Sequence, residues 1–195
     1  ENMNLRFLTV VEIKHFWEKL DAIPIKEGTA LCLKILLLLG QRRGETATLE
    51  WKEIDLNSKA WTIPKHKSKN GKAHTVPLPP MAMSIITRAK KLAKDSSYVF
   101  PGAKPSCSIS PDSITSAVYK NQHRFDMEQF SAHDLRHTVA TQLAMAGVEG
   151  VHISKVLNHT VPGITAQVYN HHQYDKEKRQ ALETWERKLK GILFN

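Results

Sequence analysis

The feature that most constrains this chain is an apolar run, Leu31-Cys32-Leu33-Lys34-Ile35-Leu36-Leu37-Leu38-Leu39, that stops at Gly40. A stretch this apolar has to be removed from water, either inside a core or in lipid. Crossing a bilayer takes about 20 predominantly apolar residues. This run is shorter and carries Lys34, and no signal peptide precedes it. It reads as a buried core helix with Gly40 as its C-cap, and no membrane association is expected. A chain of 195 residues is long enough to enclose such a helix in one domain.

The elements around it follow from capping and periodicity. Thr9-Val10-Val11-Glu12 is a capping box, predicting a helix to about Leu20. Residues 1–8 read as the end of a linker and residues 9–195 as the domain. The chain starts at Glu1 rather than Met, which suggests a fragment of a longer protein. A short helix is expected from Glu45 to about Glu50.

The period then changes to two: Ile54-Asp55-Leu56, Ala60-Trp61-Thr62-Ile63 and Ala73-His74-Thr75-Val76-Pro77-Leu78 read as short strands, with turns at Asn57-Ser58 and Asn70-Gly71. Between the last two strands, Lys65 to Lys72 reads as a mobile basic finger. Helices resume after Pro80, and Ser110-Pro111 opens another. Ser131 caps a helix carrying His133 and Arg136, with Gly147 after its end. A short helix ends near His159, Tyr169 lies beyond a Pro162-Gly163 turn, and an amphipathic helix runs from about Tyr174 to Leu189. The expected fold is mainly α with a small three-stranded antiparallel sheet, α+β, in a single domain.

Charge narrows the function. The chain has 28 Lys+Arg against 19 Asp+Glu, a formal charge of +9. That balance suits a nucleic-acid partner, or a merely basic soluble protein. Cys32 and Cys107 stand far apart, with no disulfide framework and no CxxC metal spacing, so both are expected reduced in a cytosolic compartment.

Several polar residues are candidates for chemistry, each with a plain structural alternative. Arg42 lies between Gly40 and Gly44, which allow a tight turn; its planar guanidinium suits a phosphate, or it is a surface arginine at a helix end. Glu45 would orient Arg42 or serve as a first-turn acid. On a helix His133 and Arg136 share a face, placing a titratable group beside a permanent cation. His133 and His137, at i and i+4, could instead bind zinc, although Asp134 stands where the metalloprotease motif has Glu. His159 and Tyr169, taken singly, read as a capping or core histidine and a core tyrosine. Cations, imidazoles and one tyrosine, without a carboxylate pair, suit metal-free attack on a phosphodiester.

Taken together, Leu39-Gly40-Gln41-Arg42-Arg43-Gly44-Glu45, Ser68-Lys69-Asn70-Gly71, His133-Asp134-Leu135-Arg136-His137-Thr138, Leu157-Asn158-His159 and Val168-Tyr169 resemble the catalytic domain of a tyrosine recombinase of the phage integrase type. The resemblance covers nearly all of the chain. The Trp61-Thr62-Ile63-Pro64 strand, the Val76-Pro77-Leu78 return and the tail from Tyr174 to Leu189 are similar to integrases of prophages and genomic islands. The resemblance implies that Arg42 and Arg136 are the catalytic arginines, Lys69 the hairpin lysine, His133 and His159 the histidine positions, and Tyr169 the nucleophile. Lys69 is chosen among Lys65, Lys67, Lys69 and Lys72 because it precedes Asn70-Gly71; Arg43, Lys65, Lys67 and Lys72 become DNA-binding candidates. After Tyr169 come Asn170, His171 and His172, where related integrases often place an arginine. Tyr174 is a rival nucleophile without the expected spacing from His159.

The function so implied is site-specific recombination for integration or excision of mobile DNA, through a 3′-phosphotyrosine, with no cofactor and no metal. The implied partners are double-stranded DNA attachment sites, a homotetramer on synapsed DNA that is monomeric when free, and an accessory DNA-bending or directionality protein. The implied setting is the cytoplasm and nucleoid of a bacterial host, with DNA-binding domains upstream. The alternatives are a type IB topoisomerase and a DNA-binding module without catalysis. The apolar tail Gly191-Ile192-Leu193-Phe194 is expected to dock on a neighbouring protomer, or else to pack on its own core.

Overall fold

The computed structural model describes residues 6–159 and 173–194. Its centre is the apolar run. Helix α2 (Glu27–Leu39) is buried at every position from Thr29 to Leu39, and helices α6 (Ala132–Met145), α4 (Pro80–Ala93) and α8 (Asp175–Phe194) pack around it. Lys34 reconciles its charge with this setting by snorkelling: its Nζ lies 2.7 Å from both carboxylate oxygens of Asp21 and 5.1 Å from the centroid of the Trp17 ring. Gly40 closes α2 in the left-handed region at φ +64°.

Helix α1 (Val10–Lys19) starts at the Thr9–Glu12 capping box. Packing begins before it. Leu8 is fully buried, its N–H donates to Thr138 Oγ1 at 2.8 Å, and Arg6 bonds the Glu128 carbonyl. Arg6 and Leu8, expected in a linker, are therefore packed on the domain, while Phe7 between them is exposed.

Helix α3 spans Arg43–Ala47, about two residues earlier than expected. The shift has a local cause, since the Glu45 carboxylate accepts the Arg42 N–H and fixes the helix start there.

The sheet has the order β1-β2-β3 and is antiparallel, with β1 at Ile54–Asp55, β2 at Ala60–Ile63 and β3 at His74–Pro77. The register pairs Trp61 with Ile54 and Val76, and Ile63 with His74. β1 is shorter than expected because Asp55 Oδ1 accepts the Asn57 and Ser58 N–H groups at 2.9 and 3.2 Å, turning the chain before Leu56 can pair.

Helix α5 (Pro111–Lys120) follows its Ser110 cap, and α6 follows the Ser131–Asp134 box. Helix α7 (Gly150–Val156) packs against α8, which runs five residues past the expected end at Leu189, to Phe194. Leu193 is buried in the core while Phe194 is 74% exposed. No helix among the described residues is long and apolar enough to cross a membrane.

Candidate active site

The site begins where α2 ends. A Cβ on Gly40 would meet Leu157 Cδ2 at 2.9 Å and Val139 Cγ1 at 3.0 Å, so both the left-handed turn and the close approach of α6 and α7 require glycine. The turn delivers Gln41, whose Nε2 donates to the carbonyls of Leu39 (2.8 Å) and Val156 (2.9 Å), tying α2 to the end of α7. Arg42 follows. Its Nη1 donates to Glu45 Oε1 at 3.2 Å and its Nη2 to the Asn158 carbonyl at 3.2 Å. Glu45 is 4% exposed, so its carboxylate is a fixed support for Arg42 rather than a solvated first-turn acid.

Arg136 arrives from α6, 5% exposed. Its Nη1 donates to the Gly40 carbonyl at 2.7 Å and its Nη2 to the Leu157 carbonyl. The two guanidiniums thus sit on consecutive carbonyls, Leu157 and Asn158. Among the described residues no carboxylate forms an ion pair with Arg136. Burial, with the Arg42 charge nearby, pushes its guanidinium down to about 10, so it stays charged at neutral pH.

The imidazoles respond to this field. His133 is held below its ordinary range by partial burial, then by His137 and Arg136. Its ring meets that of His137 edge-on, centroids 4.6 Å apart. His159 is lowered by partial burial, then by Arg136 and Arg42. Among the described residues no three His, Cys, Asp or Glu side chains gather as metal ligands, so the His133–His137 zinc alternative lacks a third protein ligand there.

The other candidates divide. Lys69 is exposed, on the turn between β2 and β3, with Lys65 and Lys72 exposed beside it. Lys67 departs from expectation: its Nζ turns inward to the Thr48 carbonyl (2.7 Å), Glu50 Oε1 (2.8 Å) and Glu53 Oε1, with 15% of its side chain exposed. An ammonium so enclosed is a structural cation, which corrects its place among the DNA-facing lysines. Arg43 bonds Thr115 Oγ1 and lies 3.6 Å from Asp112 Oδ1, both on α5. Tyr169 lies outside the described residues, as do Asn170, His171 and His172. The rival Tyr174 sets its ring under Lys155 Nζ (4.8 Å to the centroid) and beside His152 on α7.

Sequence reasoning missed His74 and the side chain of Asn158. His74, on β3, is 7% exposed and bonds the Val156 carbonyl through Nε2 at 3.2 Å. Burial, then the Lys178 ammonium, push it down to about 4. The inward alternation of β3 was the available signal. Asn158 holds φ +53°, and its only sequence signal was an Asn just past a helix end.

Comparison with known proteins bears on the family and the fold. The model of the phage integrase family matches residues 6–176. Prophage integrase IntA of Escherichia coli (strain K12) is 28% identical over 150 residues, covering 76% of this chain and 36% of its own length. The chain spans less than half the length of the first curated relatives it matches. An integrase from mycobacterium phage Brujita shares the fold with a TM-score of 0.71 at 20% identity, over 92% of this chain and 57% of that one. The XerH site-specific recombinase bound to its difH substrate, a pre-cleavage complex, gives 0.65 at 22% identity, over 87% and 51%. The expected α+β catalytic-domain fold is thus the observed one, and this chain belongs to the phage integrase family.

Proposed function

We propose that this chain is the catalytic portion of a site-specific DNA recombinase that integrates or excises mobile DNA. The observation that carries the reading is the pair Arg42 and Arg136, held on the consecutive carbonyls of Leu157 and Asn158 with no carboxylate paired to Arg136 among the described residues. Two guanidiniums against the single carboxylate of Glu45 leave the pocket net positive, a site for an anion, and a phosphodiester fits their forked donors.

In this reading both arginines neutralise the non-bridging oxygens, most strongly as charge builds in the pentacoordinate transition state. His159 donates a further hydrogen bond. Tyr169 attacks phosphorus through its phenolic oxygen and the bond to the 5′ oxygen breaks. The phenolic proton passes to His133, whose lowered affinity for protons keeps the ring neutral and able to accept. Lys69 supplies a proton to the departing 5′ oxygen. The products are a 3′-phosphotyrosine and a 5′-hydroxyl. Attack by a partner strand's 5′-hydroxyl reverses these transfers and exchanges strands, so neither ATP nor metal is consumed. Lys65 and Lys72 contact the DNA backbone, joined by Arg43 once it releases Asp112. The working assembly is a tetramer on two attachment sites, formed from monomers in the bacterial cytoplasm with help from an accessory DNA-bending or directionality protein.

The test is covalent capture on nicked suicide duplexes with randomised centres, without metal, comparing this chain with Tyr169→Phe. An adduct stable to SDS that disappears in the variant, and whose captured DNA converges on one sequence, is expected. An adduct retained by Tyr169→Phe would overturn the assignment. Salt-sensitive binding without any adduct would instead favour a binding module, and relaxation of supercoiled DNA without strand exchange a topoisomerase.

A further inference from the structure

We infer that Asn158 is a positioning residue: its side chain, through a closed ring of hydrogen bonds with Ser68 and Asn70, holds the turn that presents Lys69 to the pocket. The inference deepens the recombinase reading and rests on it.

The backbone first makes Asn158 an unexpected residue. Helix α7 ends in a Schellman motif, with the His159 N–H on the Ser154 carbonyl at 2.9 Å and the Asn158 N–H on the Lys155 carbonyl at 3.3 Å. Asn158 is the left-handed residue of that motif, φ +53°, where glycine is the least strained choice. A motif that needs only backbone freedom does not need an amide.

Both ends of the amide are nonetheless used. Asn158 Nδ2 donates to Ser68 Oγ at 3.0 Å, Ser68 Oγ donates to Asn70 Oδ1 at 2.8 Å, and Asn70 Nδ2 donates to Asn158 Oδ1 at 2.7 Å. Each side chain gives once and receives once around the ring. The Lys72 N–H, 3.1 Å from Asn70 Oδ1, fixes which end of that amide is the acceptor and hence the direction of the whole ring.

Two of the three members, Ser68 and Asn70, flank Lys69 in the chain. On the other side, Lys67 is locked to Glu50, Glu53 and the Thr48 carbonyl. The turn expected to be a mobile finger is therefore pinned immediately before and after Lys69. The same Asn158 offers its carbonyl to Arg42 Nη2 and is followed by His159. One residue thus ties the proton donor's turn to an arginine that holds the phosphate. Without the ring, Lys69 would sit on an open loop, and a misplacement of about 1 Å is enough to cost about 100-fold in rate.

Asn158→Gly isolates the side chain. It keeps the left-handed backbone and the carbonyl that Arg42 uses, and glycine suits the motif, so the protein is expected to fold with an unchanged melting temperature. The assay is single-turnover adduct formation on the duplex recovered by covalent capture, made with an ordinary 5′ oxygen or with sulphur at the scissile 5′ bridging position. A thiolate leaves without protonation, so sulphur removes the need for Lys69. The expected result is a loss of about 10- to 100-fold on oxygen for Asn158→Gly, and for Ser68→Ala as second variant. On sulphur both should return to near the wild-type rate, as should Lys69→Ala. Asn158→Gly equal to wild type on oxygen would overturn the inference. So would an equal loss on both substrates, which would mean the amide serves the arginines or the fold. If covalent capture with the wild type recovered no duplex at all, the recombinase reading itself would fail and take this inference with it.

Discussion

Acidification perturbs this protein through a side chain whose contribution can be worked out. His74 is 7% exposed, and burial followed by the Lys178 ammonium lowers it from 6.5 to about 4. In the unfolded chain it titrates near the ordinary value of about 6.5. Between those values the unfolded chain binds a proton that the folded one refuses, so stability falls as pH falls. The loss begins near pH 6.5, is complete near pH 4, and is absent above about pH 7. Across the full window of about 2.5 units it amounts to about 3 kcal/mol, and by pH 5 to about 2 kcal/mol. For a domain of this size each kcal/mol moves the melting temperature by about 2–4 °C, giving about 4–8 °C at pH 5.

The comparison that isolates His74 is His74→Gln, which keeps an N–H for the Val156 carbonyl but does not titrate. Thermal unfolding of both proteins at pH 7.5, 6 and 5 shares every other histidine and carboxylate, so the difference between the curves belongs to residue 74. The wild type should lose about 4–8 °C more than the variant between pH 7.5 and 5. Parallel curves would refute the burial argument. The effect matters to the site because Val156 ends the helix that leads into Asn158 and His159.

Lys67→Met should destabilise by about 3 kcal/mol in urea unfolding, since it leaves the carboxylates of Glu50 and the 8% exposed Glu53 without their shared cation. The salt dependence of DNA binding should be unchanged by it, whereas Lys65→Ala and Lys72→Ala should each reduce the slope of log K against log salt by about 1. Gly40→Ala should cost about 2 kcal/mol or more, measured the same way, because strain at φ +64° adds to the 2.9 Å approach of Leu157 Cδ2. Arg136→Lys keeps the charge but cannot span the Gly40 and Leu157 carbonyls, and should slow adduct formation by about 100- to 1,000-fold in single-turnover assays.

What the sequence revealed depended on whether the signal was local. Helix α2 was legible because a run this apolar, too short to span a bilayer, has only the core to go to. The hairpin was legible from its period of two and its turn residues. The inward course of Lys67 was not, because its partners Glu50 and Glu53 precede the sheet and no periodicity links them to a lysine in a turn. His133 and Arg136, expected on one face at i and i+3, differ in depth, Arg136 being buried and His133 more open to solvent. Arg136 follows the carbonyls of Gly40 and Leu157, which come from other helices. The closed ring of Ser68, Asn70 and Asn158 joins positions far apart in the chain and could not be read before the fold was known.

Those long-range partners also explain how a cationic pocket survives in a folded protein. Two nearby guanidiniums repel, and the usual remedy, a carboxylate on each, would cancel the charge that a phosphate needs. Here the neutralisation is partial and comes mostly from backbone. Gly40 and Leu157 are the C-caps of α2 and α7, and Asn158 is the next residue. Carbonyls at helix C-termini lack partners within their own helix and lie at the negative end of its dipole. They hold Arg42 and Arg136 in place with partial charges, and among the described residues Glu45 alone lends a full one, to Arg42. The pocket therefore keeps net positive charge at fixed positions. Replacing a carbonyl anchor by a carboxylate would hold the arginines as firmly and leave much less for the DNA.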